Sequence, residues 1–371
     1  VGYDALLLIS FGGPEGPDDV MPFLRNVTRG RGIPEARLAE VAEHYRHFGG
    51  VSPINQQCRD LVAALRPELA AAGIDLPVYW GNRNWHPMLA DTVAAMAGAG
   101  VRRALAFVTS AYGGHSGCGQ YLADIAAARK AVGAAAPEID KIRQFHDHPG
   151  FIGPHADAVR AAMAELDAAG PAGGAAGRRR LVFTAHSIPV AMSAASGPTG
   201  GRYLAQLREA AGLVAEAVAP GLAWDLVWQS RSGPPQVPWL EPDVNHHMAA
   251  LAADGVTEVV VSPIGFVSDH LEVLWDLGEE AAPTAARLGL AFARAATPWT
   301  DPRFVGMVRE LVAERLDPAL PRRRLGTLPS WDRCAEGCCP VASPGRPAAA
   351  PTTPAAPTTP TTPTTPTAPA G

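Results

Sequence analysis

The sequence predicts an α/β fold built as two similar halves, each a four-stranded parallel sheet flanked by helices. Short apolar runs rich in Val, Ile and Leu alternate with longer amphipathic stretches, which is the pattern of parallel βαβ units. The alternation passes through four strands and then repeats with four more. The loops richest in Gly, His, Asn and Arg follow predicted strands, and open parallel sheets bind ligands at that edge. We therefore expect one ligand-binding cleft between the two sheets.

The first half contains four predicted strands and the helices that connect them. The strands lie at residues 5–11, 76–81, 104–110 and 139–145. The helices lie at 18–24, 38–45, 55–71, 88–99 and 119–132. The chain up to residue 148 is therefore predicted to form an N-terminal domain.

The second half repeats the pattern after a predicted helix at residues 153–166. Its strands lie at 180–185, 225–229, 258–262 and 290–295, so a C-terminal domain is expected over residues 149–300. A last helix at 301–316 is able to return to the first domain. Residues 317–343 lack a regular pattern and hold three of the cysteines. Residues 344–371 are almost entirely Pro, Thr, Ala and Gly, which predicts a disordered tail.

Composition and charge exclude several classes of protein. The chain has 371 residues, of which 47% are hydrophobic, enough for a substantial core. Its net charge of −5 gives no basic surface for nucleic acid. The longest apolar runs are about seven residues, against the ~20 that span a bilayer. The first residues lack the basic start of a signal peptide. We expect a cytoplasmic protein without a transmembrane segment.

One strand–helix unit, residues 258–280, carries a row of acidic side chains. Asp269 is expected to cap the helix. Glu272, Asp276 and Glu280 then fall at i, i+4 and i+8, on one helix face. Like charges at that spacing repel by a few tenths of a kcal/mol, so the face is either simply solvated or binds a cation. His186 ends another predicted strand, at the same edge of the predicted sheet, where a histidine is either structural or part of a site.

Six motifs, taken together, identify a family resemblance. In order they are SFGGPE at 10–15, FGGVSPIN at 48–55, GNRNWHP at 81–87, FTAHSIP at 183–189, WQSRSGPPQVPWLEPD at 228–243 and GFVSDHLEVLWDL at 265–277. In this order and spacing they resemble the ferrochelatases, over about residues 3–316. The resemblance implies two Rossmann-like (chelatase) domains, with a porphyrin held between them. It also implies a lyase of haem biosynthesis that inserts Fe²⁺ into the porphyrin.

The resemblance assigns roles to the histidine and the acidic row. Insertion of Fe²⁺ releases two pyrrole protons, which requires a base that works near neutral pH. His186 matches the active-site histidine of the family, as proton acceptor or first contact to iron. Glu272 is expected to face it across the porphyrin. Asp276 and Glu280 would continue a path for protons or metal, since clustered carboxylates have raised and coupled pKa values.

The choice of porphyrin depends on the loops around the cleft. The family includes membrane-facing enzymes that use protoporphyrin and soluble enzymes that use coproporphyrin III, with four propionates. This sequence lacks an apolar lip, and a basic segment at 25–37 suits carboxylates, although such a segment is also typical of an ordinary charged surface. We therefore favour the coproporphyrin III branch, whose product is Fe-coproporphyrin (coproheme). The expected porphyrin contacts are Phe11, Arg29, Arg31, Arg46, Ser52, Arg83, Tyr121 and Trp239. Phe11 stands where some bacterial members have a tyrosine.

The sequence is also compatible with two other functions. One is insertion of iron into protoporphyrin IX, and the other is a carrier of iron or tetrapyrrole that has the same fold but performs no reaction. The presence of both a base and an acidic row favours the enzyme, because a carrier needs no base. A monomer is expected, with other enzymes of the haem pathway as candidate partners.

The cysteines predict a second metal centre. Cys334, Cys338 and Cys339 crowd together, which in a reducing compartment indicates metal more than disulfide. Some members of the family hold a [2Fe–2S] cluster with three C-terminal cysteines and one from the first domain. The resemblance implies that Cys118 is the fourth ligand here. A zinc site with the same four cysteines is the alternative. Cys58, on a predicted helix, is expected to be a buried thiol.

Overall fold

The computed structural model describes residues 2–30, 32–170, 178–335 and 337–340, and contains two parallel sheets in that part of the chain. The predicted tail and Arg31 lie outside the described residues. The first sheet contains β1 (Ala5–Ser10), β2 (Val78–Asn82), β3 (Arg103–Val108) and β4 (Glu138–Lys141), in the order β2-β1-β3-β4. The second contains β5 (Arg179–His186), β6 (Trp224–Gln229), β7 (Glu258–Ser262) and β8 (Ala291–Arg294), in the order β6-β5-β7-β8. Every pairing is parallel, which confirms the predicted fold class.

Helices connect the strands and cover both faces of each sheet. They are α1 (Pro17–Val27), α2 (Glu35–His47), α3 (Ile54–Ala71), α4 (Leu89–Gly98), α5 (Gln120–Val132), α6 (Pro149–Ala169), α7 (Val190–Ala194), α8 (Arg202–Val218), α9 (Val244–Ala253), α10 (Leu271–Leu274), α11 (Ala282–Arg287) and α12 (Pro302–Leu316). Two π-helical segments, His115–Gly119 and Trp275–Ala281, precede α5 and α11. None of the described helices has the length and apolarity needed to cross a membrane.

Strand β1 shows why the strands of the first sheet have mostly apolar sequences. All six of its residues are buried. Leu6 and Leu8 face a core that also contains Phe183 and Val260 of the second sheet. Leu7 and Ile9 face a separate core beneath α4 and α5. Because both faces are covered, the strand has no polar alternation, as is typical of parallel sheets between helices.

The last helix, α12, fastens the second half of the chain to the first. Its Arg309 donates to Glu68 of α3 at 3.1 Å, and its Arg315 donates to the Tyr3 hydroxyl at 2.6 Å. Helix α6 packs closely against it, since a Cβ at Gly150 would lie 2.4 Å from the Arg303 carbonyl oxygen. Glycine is therefore required for this helix–helix approach.

Among the element boundaries that differ from the prediction, two have clear local physical reasons. Strand β4 ends at Lys141 rather than at residue 145, and residues 142–145 are buried outside the strand. Helix α6 starts at Pro149 rather than at residue 153. Proline at the first helical position and the His148 imidazole, which accepts from the Gly150 N–H at 3.0 Å, define this start.

Candidate active site

The His186 side chain lies at the carboxyl end of β5. One of its ring nitrogens forms a hydrogen bond with the backbone, and the other is available to a ligand. Its Nδ1 lies within hydrogen-bonding distance of the Ser187 carbonyl oxygen, so Nδ1 carries the proton and donates it. Nε2 therefore keeps its lone pair and lies 4.0 Å from Oε1 of Glu272. The two side chains are 34% and 49% exposed. A base and a carboxylate thus face each other in an accessible gap.

The carbonyl of His186 is also held in place. The Tyr203 hydroxyl, from α8, donates to this oxygen at 2.9 Å. Burial raises the pKa of Tyr203 above its ordinary value, which keeps the hydroxyl protonated as a donor. The end of β5 is therefore fixed on its backbone side, while the imidazole remains free.

The helix that carries the acidic row departs from the predicted geometry. Asp269 does not cap it: the N-cap residue is His270, without a side-chain cap, and the Asp269 carboxylate accepts instead from Arg294 at 2.8 Å. The sequence pattern could not show this ion pair, because Arg294 lies on another strand. After Leu274 the helix widens into the π-helical segment. Glu280 accepts from the Trp275 indole one wide turn earlier, at 2.9 Å.

Asp276 is the half-buried member of the row, between two exposed glutamates. Its Oδ2 accepts hydrogen bonds from Gln229, at 3.1 Å, and from the Ser230 hydroxyl. Ser230 has a φ of 60°, a strained conformation for serine that follows the end of β6. Burial, with contributions from the charges of Glu272 and Glu280, raises the pKa of Asp276 to about 7. Asp276 can therefore take up and release a proton near neutral pH.

Replacing Asp276 with asparagine should stabilise the fold above neutral pH. The pKa of about 7 in the folded protein exceeds the ordinary value of 3.8, so the unfolded chain binds fewer protons between these values. The contribution of Asp276 to the free energy of unfolding is thus present below about pH 4 and is lost as pH rises through 7. We expect the free energy of unfolding of Asp276→Asn to exceed that of wild type by up to about 4 kcal/mol at pH 8. Urea unfolding from pH 4 to 8 measures this difference.

An exposed carboxylate elsewhere provides the control for this measurement. Glu165 is exposed on α6, and Glu165→Gln should follow the pH dependence of wild type. A difference between Asp276→Asn and wild type that stays constant from pH 4 to pH 8 would contradict the raised pKa.

Helix α2 of the first domain closes over the acidic segment, a contact that the sequence did not predict. The His44 ring stacks on Trp275 with centroids 3.8 Å apart, and His47 Nε2 lies 3.5 Å from Glu279. Burial lowers the pKa of His44, so its ring stacks in the neutral form at neutral pH. Only His44 falls in the predicted helix at 38–45, because the helix of the structure continues to His47.

The predicted porphyrin residues of the first domain differ in how exposed their side chains are. Arg83 lies over the rings of Tyr121 and Phe11, at 4.6 and 5.7 Å, and pairs with Asp124. Tyr121 is buried, and burial raises its pKa, whereas Phe11 is 38% exposed. Phe11 is therefore accessible to a macrocycle, while Tyr121 supports Arg83 from below. Ser52 is buried, and its backbone N–H donates to the Pro14 carbonyl.

The basic segment is largely an ion-paired surface. Arg25 pairs with Glu35, and Arg37 pairs with Glu40 at 2.6 Å. Both side chains of each pair are exposed, and ion pairs of this kind contribute little to stability. The remaining predicted contacts, Arg29 and Arg46, are also exposed, and Arg46 pairs with Glu43.

Trp239 lies beside the strand end that carries His186. It bridges to Pro189, and the Leu240 N–H donates to the Ile188 carbonyl oxygen at 3.0 Å. Its indole nitrogen is buried without a hydrogen-bond partner. The ring packs tightly on Gly233, where a Cβ would lie 2.3 Å from the indole. Trp239 is therefore packed against the segment that follows His186.

Four of the five cysteines surround a cavity of about 440 Å³. Cys118 comes from the first π-helical segment, and Cys334, Cys338 and Cys339 come from the C-terminal extension, the segment that follows α12. The sulfurs of Cys338 and Cys339 are 3.9 Å apart. Cys58 is instead fully buried in the main core, as predicted, and burial raises its pKa to about 12.

Hydrogen-bond donors point at these sulfurs. Gln144 donates to Cys118 at 3.3 Å, the Trp331 indole donates to Cys334 at 3.3 Å, and the Gly197 N–H donates to Cys339 at 3.4 Å. Hydrogen bonding from Cys118, with help from the indole, lowers the pKa of Cys334 to about 5. Cys334 is thus held as a thiolate, which is the form that binds metal. The pKa of Cys118 is instead raised by its hydrogen bond to Cys334 and by burial, and the pKa of Cys338 is raised by burial and the neighbouring sulfurs.

The fold and the site together define a two-sheet α/β protein in which a free imidazole nitrogen faces a carboxylate at the carboxyl edge of a sheet. The ferrochelatase family model matches residues 3–316. A coproporphyrin III ferrochelatase from Nocardia farcinica is 60% identical, over 94% of this chain and 99% of that protein. One from Mycolicibacterium smegmatis is 55% identical, over 92% of this chain and 100% of that protein. The chain belongs to the ferrochelatase family.

A solved structure supports the fold independently of sequence. SirB from Bacillus subtilis with Fe³⁺ has a TM-score of 0.50 and 11% identity, over 85% of this chain and 96% of that chain. At this identity the likeness concerns the fold alone.

Proposed function

We propose that the protein inserts Fe²⁺ into coproporphyrin III and releases two pyrrole protons, giving Fe-coproporphyrin. The family, and relatives that are coproporphyrin III ferrochelatases, support this reaction. The observation that carries it is the pair His186 and Glu272, with the free Nε2 lone pair 4.0 Å from a carboxylate oxygen and both side chains accessible. A carrier without a reaction would not require an oriented base.

His186 is proposed to accept the pyrrole protons. Its Nδ1–H is committed to the Ser187 carbonyl oxygen, so Nε2 can take up one proton and form an imidazolium that Glu272 stabilises. Asp276 then offers a second acceptor whose pKa of about 7 suits transfer near neutral pH. Nitrogen and carboxylate ligands also suit Fe²⁺ that must be bound and released as substrate.

The substrate is proposed to lie between two aromatic walls. Phe11, on the first domain, is exposed to a macrocycle, and Trp239 lies next to the His186 strand end. Among the described residues of the predicted set, Arg29 and Arg46 are the exposed guanidinium groups, so they are proposed to bind propionates by bidentate pairing. Four propionates distinguish coproporphyrin III from protoporphyrin IX, and these exposed guanidinium groups favour the former.

An anaerobic absorbance experiment tests this assignment. Purified protein mixed with Fe²⁺ and coproporphyrin III should convert the free-base bands into those of the metalloporphyrin, at least about tenfold faster than with protoporphyrin IX. A heat-inactivated sample provides the control. Binding of both porphyrins without conversion would instead identify a carrier, and faster conversion of protoporphyrin IX would reverse the substrate assignment.

We also propose that Cys118, Cys334, Cys338 and Cys339 hold a [2Fe–2S] cluster. They supply the four thiolates that such a cluster requires, around a cavity with inward N–H donors. No three of these four sulfurs, all in the described part of the chain, lie within 4.8 Å of one another. A single tetrahedral zinc ion would gather all four to about 3.8 Å, so the wider set favours a two-iron cluster. When bound, the cluster would supply iron–thiolate bonds that join the extension to the first domain.

The division into domains is proposed on the same basis. Residues 1–148 and 149–300 each contain one sheet, and α12 joins them through α3. The extension is proposed as a separate segment over residues 317–343.

A further inference from the structure

A second group of metal-ligating side chains lies away from both sites described above. His146 and Asp147 follow β4 in the first domain, and Glu209 comes from α8. Each offers one ligand atom, and these three atoms all lie within 4.8 Å of one another. His146 Nε2 is 2.9 Å from Glu209 Oε2. Of the residues that the structure describes, this is the group of His, Cys, Asp and Glu side chains that meets this spacing.

The carboxylate of Asp147 is buried without hydrogen bonds. Its side chain is 1% exposed, and neither carboxylate oxygen has a hydrogen-bond partner. The neighbouring Nδ1 of His146 also has none. Buried polar groups are nearly always hydrogen-bonded, and a buried charge without partners is strongly unfavourable. The group therefore contains unused ligand atoms inside the protein.

Two arginines approach Asp147 but are committed to other acceptors. Arg143 Nη1 lies 3.9 Å from Asp147, while its Nε and Nη2 donate to Glu314 at 2.8 and 2.9 Å. Arg324 Nε lies 3.6 Å from Asp147, and its donors go to backbone carbonyls of the extension at 2.8 to 3.0 Å. Neither distance allows a hydrogen bond. These arginines reduce the local negative charge without using the carboxylate lone pairs.

The C-terminal extension forms the lid of this group. Glu209 Oε1 accepts from the Thr327 and Leu328 N–H groups at 2.6 and 3.0 Å, and the Leu325 N–H donates to the Asp147 carbonyl oxygen at 2.8 Å. A Cβ at Gly326 would lie 2.3 Å from Glu209 Oε2 and 2.8 Å from Asp147 Cβ. The extension thus closes over the ligands, and only glycine fits at this point.

We propose that His146, Asp147 and Glu209 bind a divalent first-row transition-metal ion, of the zinc class, as a structural site distinct from the active site and the cysteines. One imidazole nitrogen and two carboxylates are ligands typical of such ions, whereas calcium and magnesium prefer oxygen alone. The two ligand carboxylates balance the charge of the ion. Bound there, the ion joins the first domain, α8 and the lid, and holds the extension that carries Cys334 in place.

The test compares zinc retention in matched variants. Wild type, Asp147→Asn, His146→Gln and Glu209→Gln are stripped with EDTA, reconstituted with Zn²⁺ and desalted, and zinc, iron and acid-labile sulfide are then measured. Wild type should retain about one equivalent of zinc more than each variant, at equal sulfide. Added Zn²⁺ should raise the Tm of wild type more than that of the variants.

His247 provides the matched control. Its Nε2 lies 2.9 Å from Asp225, the same distance as in the pair of His146 and Glu209, and no third ligand from the described ranges accompanies it. His247→Gln should therefore retain zinc like wild type. Equal zinc in wild type, Asp147→Asn and Glu209→Gln would overturn the proposal and identify the group as a network of ion pairs with Arg143 and Arg324. Glu209→Gln also keeps the test decisive if Asp147→Asn does not fold.

Discussion

Replacing His186 with alanine should lower kcat for iron insertion by about 10²–10⁴-fold, the usual contribution of a general base. The variant removes the only nitrogen lone pair that the end of β5 directs at Glu272. The fold should tolerate the change, because the backbone there is held by pairing with β6 and by the Tyr203 hydroxyl. Porphyrin binding should persist, since the imidazole is one contact among several. Anaerobic absorbance gives the rate, and the shift of the porphyrin bands gives the affinity.

The control for this variant is a histidine outside the cleft. His246 is exposed on α9, and His246→Ala should leave kcat within about twofold of wild type. Glu272→Gln should also be severely impaired, because it keeps the shape and removes the charge opposite the base. A folded His186→Ala variant that retains more than a tenth of wild-type kcat would show that another group accepts the pyrrole protons.

The sheets could be predicted from sequence because burial on both faces leaves a strong signal. Every predicted strand overlaps an observed one, and β1 illustrates the reason, since Leu6 and Leu7 face different cores and both must be apolar. The error at β4 has the same origin. Ile142 and Phe145 are buried like strand residues although the strand has ended at Lys141. Apolar character reports burial, and it does not report pairing.

The geometry of the candidate site could be predicted where it depends on strand ends and not where it depends on distant partners. The position of His186 could be predicted because the carboxyl end of a parallel strand lies at the sheet edge. The expected cap at Asp269 was wrong because Arg294, on β8, offers a stronger partner than the helix start. The state of Asp276 likewise depends on Ser230, from another loop. No local pattern contains these contacts.

The π-helical segment is the clearest example of a feature that the local sequence pattern does not predict. An α-helical spacing places Glu272, Asp276 and Glu280 in one row, whereas the π-helical segment changes the spacing after Leu274. As a result, Glu280 contacts Trp275, and Glu279 approaches His47 on α2. The closure of α2 over this segment is thus set by tertiary packing.

Replacing Cys118 with serine should yield colourless protein and release the end of the extension. The expected reason is that Cys118 is the one proposed ligand from the first domain, so the other three cysteines lose their connection to it. Energy from the metal site is also folding energy for the segment that it fastens. Arg333, whose side chain is 76% exposed, adjoins Cys334. We expect trypsin to cleave after Arg333 about tenfold faster in the variant, consistent with a local loss of roughly 1.4 kcal/mol.

The rest of the extension should resist cleavage, because it is held by contacts that do not involve sulfur. The Arg202 side chain donates to the Pro329 carbonyl oxygen at 2.7 Å and lies over the Trp331 ring at 4.2 Å. The effect of Cys118→Ser should therefore be confined to the segment after Trp331, and insertion activity per folded molecule should remain, because His186 contacts none of these cysteines. Cys58→Ser is the control and should keep the colour, the acid-labile sulfide and the resistance to trypsin of wild type. If anaerobically purified wild type carries no sulfide and holds zinc that Cys118→Ser loses, the two-iron cluster is excluded, and the same four thiolates must be assigned to a zinc site.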